Sequence, residues 1–269
     1  ENFQSFGESM SISADNKVLV VGVPEYQRVD GDDTFHGCVK TYDWDGSSWV
    51  SRKFLLENLN YGDDGTTYRG VIDSFGKSVS LSEDGKILVV GAPDDLDNSD
   101  DEGTPNPIGV AYIYVWNETS SVWEFSQYLR PTSLYFTRHR DYGNSVSISG
   151  DGLTLCVGCP GYDDTTNGNN NGVVFVYKRT STAGQFLSHE TGNTNDYHQR
   201  IEEKSVVPYH SGTTDKLDWY QNNEYLSSNL SRFGHKISLS GDGQTLIICR
   251  KSGGTTSTSG DIGNIIWNL

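Results

Sequence analysis

Acidic side chains crowd one stretch of this chain. Asp94, Asp95, Asp97, Asp100, Asp101 and Glu102 fall between positions 94 and 102. Calcium takes roughly six to eight oxygen ligands, from carboxylates and carbonyls. Asp94, Asp95 and Asp97 are therefore candidate calcium ligands, with backbone carbonyls of the 94–102 loop completing the set. A solvated acidic loop is the alternative. Smaller acidic groups stand at Glu25, Asp30, Asp32 and Asp33, and at Asp163 and Asp164.

Signals for catalysis are missing. The sequence has no nucleophile elbow, no H-E-x-x-H, no phosphate-cradling glycine loop and no paired histidines. His36, His139, His189, His198, His210 and His235 are scattered. His235 occupies a repeat slot shared with Glu8, Lys77 and Asn144, which predicts an exposed strand position. Neither a catalytic residue nor an organic cofactor is expected. Cys156 and Cys159 have C-x-x-C spacing, but they fall on a predicted strand, where residues three apart face opposite sides. The redox motif needs a helix start, so both are read as small buried thiols. Cys38 and Cys249 stand alone. Two N-x-[ST] sequons, at Asn117 and Asn229, are candidate glycosylation sites.

The elements that carry these residues come from a repeat. FGESMSISADNKVLVVGVP from Phe6 recurs as FGKSVSLSEDGKILVVGAP from Phe75, YGNSVSISGDGLTLCVGCP from Tyr142 and FGHKISLSGDGQTLIICRK from Phe233. Self-similarity at a long period means one supersecondary unit stacked on copies of itself. Within each window, aliphatic residues alternate with serines, so one face of an inner strand is apolar and the other carries small hydroxyls. Met10, Ile12, Val79, Leu81, Val146, Ile148, Ile237 and Leu239 are the predicted core slots.

A turn follows at Asp15-Asn16, Asp84-Gly85, Asp151-Gly152 and Asp242-Gly243. These pairs suit a two-residue type I′ hairpin. A continuous apolar run predicts a second strand buried on both faces. A third strand begins near Gly37, Gly109, Gly172 and Gly263. A fourth begins at Trp49, at Trp123 and, more weakly, at Gln185. Strand, turn, strand, loop, strand, turn, strand is a four-stranded meander, and its radial repetition is a β-propeller. Aromatic residues recur on third strands (Tyr42, Trp44, Tyr112, Tyr114, Trp116, Phe175, Tyr177 and Trp267). They read first as packing between blades and second as a sugar-stacking surface.

The repeat resembles the FG-GAP repeat of the integrin α-subunit propeller through Phe75-Gly76, Gly91-Ala92-Pro93 and the strand from Gly109 to Tyr112. It looks closest to the secreted FG-GAP proteins of bacteria and unicellular algae. The resemblance implies an all-β propeller of four-stranded antiparallel blades, in one region spanning 1–269. Repeats begin near 6, 75, 142 and 233, and an insertion or degenerate blade fills 189–232. Asp218 to Leu226 is a late candidate for the outer strand of blade three. Integrin-type repeats hold calcium in the first hairpin with D-x-D-x-D-G. This chain lacks that loop, so Asp84, Asp151 and Asp242 read as turn formers.

The formal net charge is −16, from 36 acidic against 20 basic residues. Such a surface repels polyanions, so nucleic acid is not an expected partner. No apolar run is long enough to span a membrane. Residues 131–142 form one basic, aromatic loop with Arg138, His139 and Arg140, a candidate contact for an acidic partner. The expected function is non-catalytic: an extracellular or cell-surface module that binds proteins or neighbouring subunits through loops and edges. A glycan-binding module is the alternative, and an enzyme with a loop-built site is third. The last repeat ends at its third strand. The strand from Gly263 to Leu269 is thus expected to pair with polypeptide outside this chain, or with sequence missing from it, as part of a larger propeller or assembly.

Overall fold

A computed structural model describes residues 2–27, 37–52, 55, 74–97, 106–130, 141–164, 169–170, 172–186, 199–202, 232–249 and 264–269. They form strands and turns, with no helix among them. Each repeat builds one antiparallel sheet whose strands are hydrogen-bonded in chain order. Blade one comprises Ser9–Ile12, Val18–Val23, Cys38–Trp44 and Trp49–Ser51. Blade two comprises Ser78–Leu81, Ile87–Ala92, Val110–Asn117 and Val122–Leu129. Blade three comprises Ser145–Ile148, Thr154–Cys159, Val173–Lys178 and Gln199–Glu202. Blade four comprises Lys236–Leu239, Thr245–Cys249 and Asn264–Asn268. These are blades of the β-propeller type.

The inner hairpins pair as predicted, but each turn is longer than two residues. The Ser13 backbone N–H donates to Val18 O at 2.9 Å, leaving four residues in the loop. Only the second residue of each Asp-containing pair has positive φ: Asn16, Gly85, Gly152 and Gly243. A type I′ turn needs it at both, so that expectation is corrected. The serine before the turn is the reason. Ser82 Oγ donates to Asp84 Oδ1 at 2.6 Å and accepts from the Ile87 N–H at 3.0 Å. Ser13, Ser149 and Ser240 repeat that pattern with Asp15, Asp151 and Asp242.

Blades meet face to face over three apolar cores. Val20 and Val39 of blade one pack with Val79, Leu81, Leu88 and Val90 of blade two. Ile87, Val89 and Ile113 of blade two pack with Val146, Ile148 and Val157 of blade three. Cys156, Val174 and Val176 of blade three pack with Leu239, Leu246 and Ile248 of blade four. Alternate residues of the second strands of blades two and three thus serve opposite cores. Ile87–Ala92 and Thr154–Cys159 are buried along their whole length, while the second strand of blade four loses one face to solvent.

Two expectations about the core are overturned by position in the series. Met10 is 65% exposed and Ile12 47%, although Met10's counterparts Val79 and Val146 and Ile12's counterparts Leu81 and Ile148 are buried. Their face points away from blade two, and no sheet of the described residues covers it. Ile237 is half-buried rather than buried. The outer strand of blade three also differs. Gln199–Glu202 pairs with the third strand, with Val174 opposite Ile201. Gln185 does not start a strand; Phe186 turns inward and is buried instead. The Asp218–Leu226 candidate lies outside the described residues. The third strand of blade four pairs on one side with Thr245–Cys249.

Candidate functional site

The serine face of each inner strand locks the next blade. Ser9 Oγ donates to Gly76 O at 2.9 Å, Ser78 Oγ to Gly143 O at 2.8 Å and Ser145 Oγ to Gly234 O at 2.7 Å. Two residues on, the backbone N–H groups of Leu81, Ile148 and Leu239 donate to the hydroxyls of Ser11, Ser80 and Ser147. Cross-strand from the first serine sits a glycine: Gly22, Gly91 or Gly158. A β-carbon there would lie 2.0, 1.9 or 2.1 Å from the incoming carbonyl oxygen. The seams are backbone-tight, which is why small hydroxyls and glycine recur at these slots.

The turns join into a line at one end of the inner strands. The Ala14 N–H donates to Glu83 O, Glu83 N–H to Gly150 O and Gly150 N–H to Gly241 O, at 2.9, 3.0 and 2.8 Å. Glu83, Asp84, Asp151 and Asp242 line an open cleft of about 560 Å³ there. Sequence reading placed each aspartate in a turn but did not bring them together. The signal was available in their common offset from the repeat start. Asp242 is held below the usual carboxylate range by the Ser240 hydroxyl and the Gln244 N–H. The Ser13 hydroxyl does the same for Asp15, with the Lys17 N–H.

The proposed calcium loop is only partly described. Asp94 accepts from the Ser74 hydroxyl. Asp95 Oδ2 accepts from the Tyr112 hydroxyl at 2.5 Å, and its carbonyl accepts from the Ile108 and Gly109 N–H groups. Asp97 ends a two-residue strand paired with Asn106–Pro107. Among the described residues no group of three or more His, Cys, Asp or Glu is placed to share a metal ion. Residues 98–105 lie outside the described set.

Asn117 sits at the turn between the third and outer strands of blade two, as expected. Its Oδ1 accepts from the Thr119 and Ser120 N–H groups, and its Nδ2 donates to Glu124 at 2.7 Å. Asn229 lies outside the described residues, as do Arg138, His139 and Arg140. His235 is half-buried at the seam of blades three and four, where Asn144 donates to its carbonyl at 2.9 Å. The exposed position expected of it fails because its slot lies on the contact between blades. Cys156 and Cys159 are buried in different cores, and burial pushes both thiols up.

Most third-strand aromatics are packing devices, as expected. Tyr112 and Tyr114 meet Phe75 edge-on, at 5.5 and 6.2 Å between ring centres. Trp44 with Trp49, and Trp116 with Trp123, are cross-strand pairs closing outer turns. The Arg52 guanidinium of blade one stacks 3.6 Å over Trp116 of blade two.

The exposed large apolar side chains of the described residues are Phe6, Met10, Ile12, Trp44, Trp49, Val50, Ile247 and Ile266. All belong to blades one and four. Blades two and three, flanked on both sides, show none. No helix of the described residues is long and apolar enough to cross a membrane.

Residues 63–114 match the family model described as FG-GAP repeat. Among curated proteins none matches the chain. Solved structures with similar backbones include the periplasmic gluconolactonase PpgL of Pseudomonas aeruginosa, at 16% identity and a TM-score of 0.43, covering 98% of this chain and 57% of that one. A putative 6-phosphogluconolactonase from Bacteroides uniformis has 16% identity and a TM-score of 0.38, covering 72% and 42%. Sqt1 of Saccharomyces cerevisiae has 9% identity and a TM-score of 0.40, covering 69% and 34%. The chain spans a third to little more than half of these proteins. Phe75-Gly76, the first two strands of blade two and the start of its third fall inside the family match, so this stretch is similar to an FG-GAP repeat, and the other three sheets repeat the blade of β-propeller type to which it belongs.

Proposed function

We propose that this protein is a non-catalytic binding and assembly module, extracellular or on a cell surface, that joins other polypeptides through the ends of its blade array. One observation carries this reading: every exposed large apolar side chain among the described residues lies on the two end blades. Apolar surface left open at a repeated packing face marks an interaction site. The acidic surface and the FG-GAP repeat support a location outside the cell. Calcium in the 94–102 loop belongs to the same proposal, as a loop stabiliser.

Amine cross-linking on the source material tests it, read by mass spectrometry. Cross-links to another polypeptide are expected from Lys17, Lys40 and Lys236 on blades one and four, more than from Lys86 and Lys178 on the middle blades. Cross-links confined to the chain itself, with turnover of a lactone or ester panel, would overturn it. The glycan-binding alternative draws on one further observation, the exposed Trp44–Trp49 pair on the outer edge of blade one. Quenching of tryptophan fluorescence by a polysaccharide, lost in Trp49→Ala, would favour it.

A further inference from the structure

The outer turn of blade two begins with an asparagine whose two polar atoms are committed differently. Asn117 Oδ1 closes the turn, accepting from the Thr119 and Ser120 N–H groups at 2.8 and 3.1 Å. Its Nδ2 takes no part in the turn and donates sideways to Glu124 Oε1 at 2.7 Å. Glu118, Thr119, Ser120 and Glu124 are all exposed. The amide nitrogen therefore stands at the surface, bonded to a carboxylate that water can replace.

The same slot in two other blades shows what the turn requires. The N–H groups of Trp44, Trp116 and Arg179 donate to the carbonyls of Lys17, Lys86 and Leu153, so Asp45, Asn117 and Thr180 occupy equivalent positions. Asp45 closes the turn of blade one with the same two bonds, from the Ser47 and Ser48 N–H groups, each at 2.8 Å. The Ser48 N–H first, and then the Ser47 N–H, hold its carboxyl at about 2. A charged acceptor makes a stronger cap than an amide oxygen does. Closing the turn thus does not account for asparagine in blade two. The atom that asparagine brings is Nδ2, and Thr119 stands two residues on, as the N-x-[ST] acceptor pattern needs. Neither Asp45 nor Thr180 has an amide nitrogen.

Resting on the extracellular placement put forward under the function, we propose that Asn117 carries an N-linked glycan, presented at the tip of the outer hairpin of blade two. In the modifying step Nδ2 bonds to C1 of the first sugar of a lipid-diphosphate-linked oligosaccharide. The bond from C1 to the diphosphate oxygen breaks, the lipid diphosphate leaves and one Nδ2 proton is lost. The second Nδ2 hydrogen remains for Glu124, and Oδ1 keeps both turn bonds, so the glycan and the folded turn are compatible. The Lys86–Glu118 ion pair beside the turn has side chains 50% and 69% exposed, which leaves that side open to solvent. A glycan there keeps partners off this turn and directs them to other surfaces of the module.

Peptide mapping of the protein from its source reads the site, before and after an amidase releases N-glycans in heavy-oxygen water. The Asn117 peptide is expected as a glycopeptide and, after release, as an aspartate peptide carrying the heavy oxygen. Unmodified Asn117 in protein recovered outside the cell overturns the inference and leaves the assembly reading in place. Protein confined to the cytosol overturns the extracellular placement and the inference with it. Expression through a eukaryotic secretory pathway separates the sugar from the turn. Wild type should be occupied at Asn117, Thr119→Ser should keep the glycan, and Thr119→Val should lose it. After glycan removal all three should melt within about 2 °C of one another, because the Thr119 N–H still bonds Asn117 Oδ1. Wild type secreted by that host with Asn117 bare overturns the inference, as does a glycan on Asn117 that survives Thr119→Val.

Discussion

Lys236 and Cys249 oppose each other across blade four in the register where the other three blades pair a serine with a glycine. The pair shows how two side chains can change the surface of a repeat without disturbing its fold. Both strands remain paired, the turn keeps its serine and aspartate, and the core with blade three is complete. Only the surface that receives the next backbone is altered.

Core slots should divide by position in the series rather than by residue type. Leu81 is 7% exposed between blades one and two, and Leu81→Ala should cost about 2–5 kcal/mol. Met10 occupies an equivalent inner-strand face with 65% exposure, so Met10→Ala should stay within about 0.5 kcal/mol. Urea unfolding of both variants checks this. Equal losses would mean that blade one's leading face is covered in solution.

The strand repeat was legible because its period-two pattern survives in all four windows, and it placed the inner hairpins correctly. Burial was not legible at Met10 and Ile12. A sequence window reports which face is apolar, but not whether a neighbour stands against that face. The outer strand of blade three was missed because Gln199–Glu202 has one aliphatic residue, Ile201, among polar ones. Pairing with Val174 and Phe175, not propensity, makes it a strand. The acidic cleft escaped notice for a related reason. Its four carboxylates come from three repeats, Glu83 and Asp84 from one of them, and converge only through the turn-to-turn hydrogen bonds.

Ser145→Ala should cost more than an average serine substitution. Its hydroxyl donates to Gly234 O at 2.7 Å inside a buried seam, and alanine leaves that carbonyl without the donor. An unmet buried acceptor costs about 1–3 kcal/mol. Ser47→Ala, which removes an exposed hydroxyl bonded to Asp45, should cost under about 0.5 kcal/mol. Thermal unfolding of the two variants under one buffer decides the comparison.

Calcium should address the 94–102 loop rather than the inner turns. Each turn aspartate already spends an oxygen on a serine hydroxyl and a backbone N–H, as Asp84 does with Ser82 and Lys86. Asp95 gives one oxygen to Tyr112 and is followed by further carboxylates. Calorimetric titration with calcium should therefore show heat in wild type that Asp95→Asn removes and Asp84→Asn spares. Heat abolished by Asp84→Asn alone would move the ion to the turns.

The acid limb of stability should carry a mark from the turn of blade one. Asp45 is lowered from an ordinary 3.8 to about 2, first by the Ser48 N–H, then by the Ser47 N–H and its hydroxyl. Glu8 is also lowered, by its hydrogen bond and ion pair with Lys77 and more weakly by Lys236. A depressed carboxylate binds fewer protons in the folded state than in the unfolded one. Its contribution is complete above the unfolded value and fades as pH falls toward the folded one. For Asp45 that window runs from about 4 down to about 2. Carboxyl carbon shifts should place the Asp45 midpoint near 2, and Asp45→Asn should flatten unfolding free energy against pH across that window alone. The Glu8–Lys77 pair is partly solvent-exposed and screened by water, so Glu8→Gln should alter stability at neutral pH by under about 1 kcal/mol. A midpoint for Asp45 near 3.8 would show that the serine cap is not formed in solution.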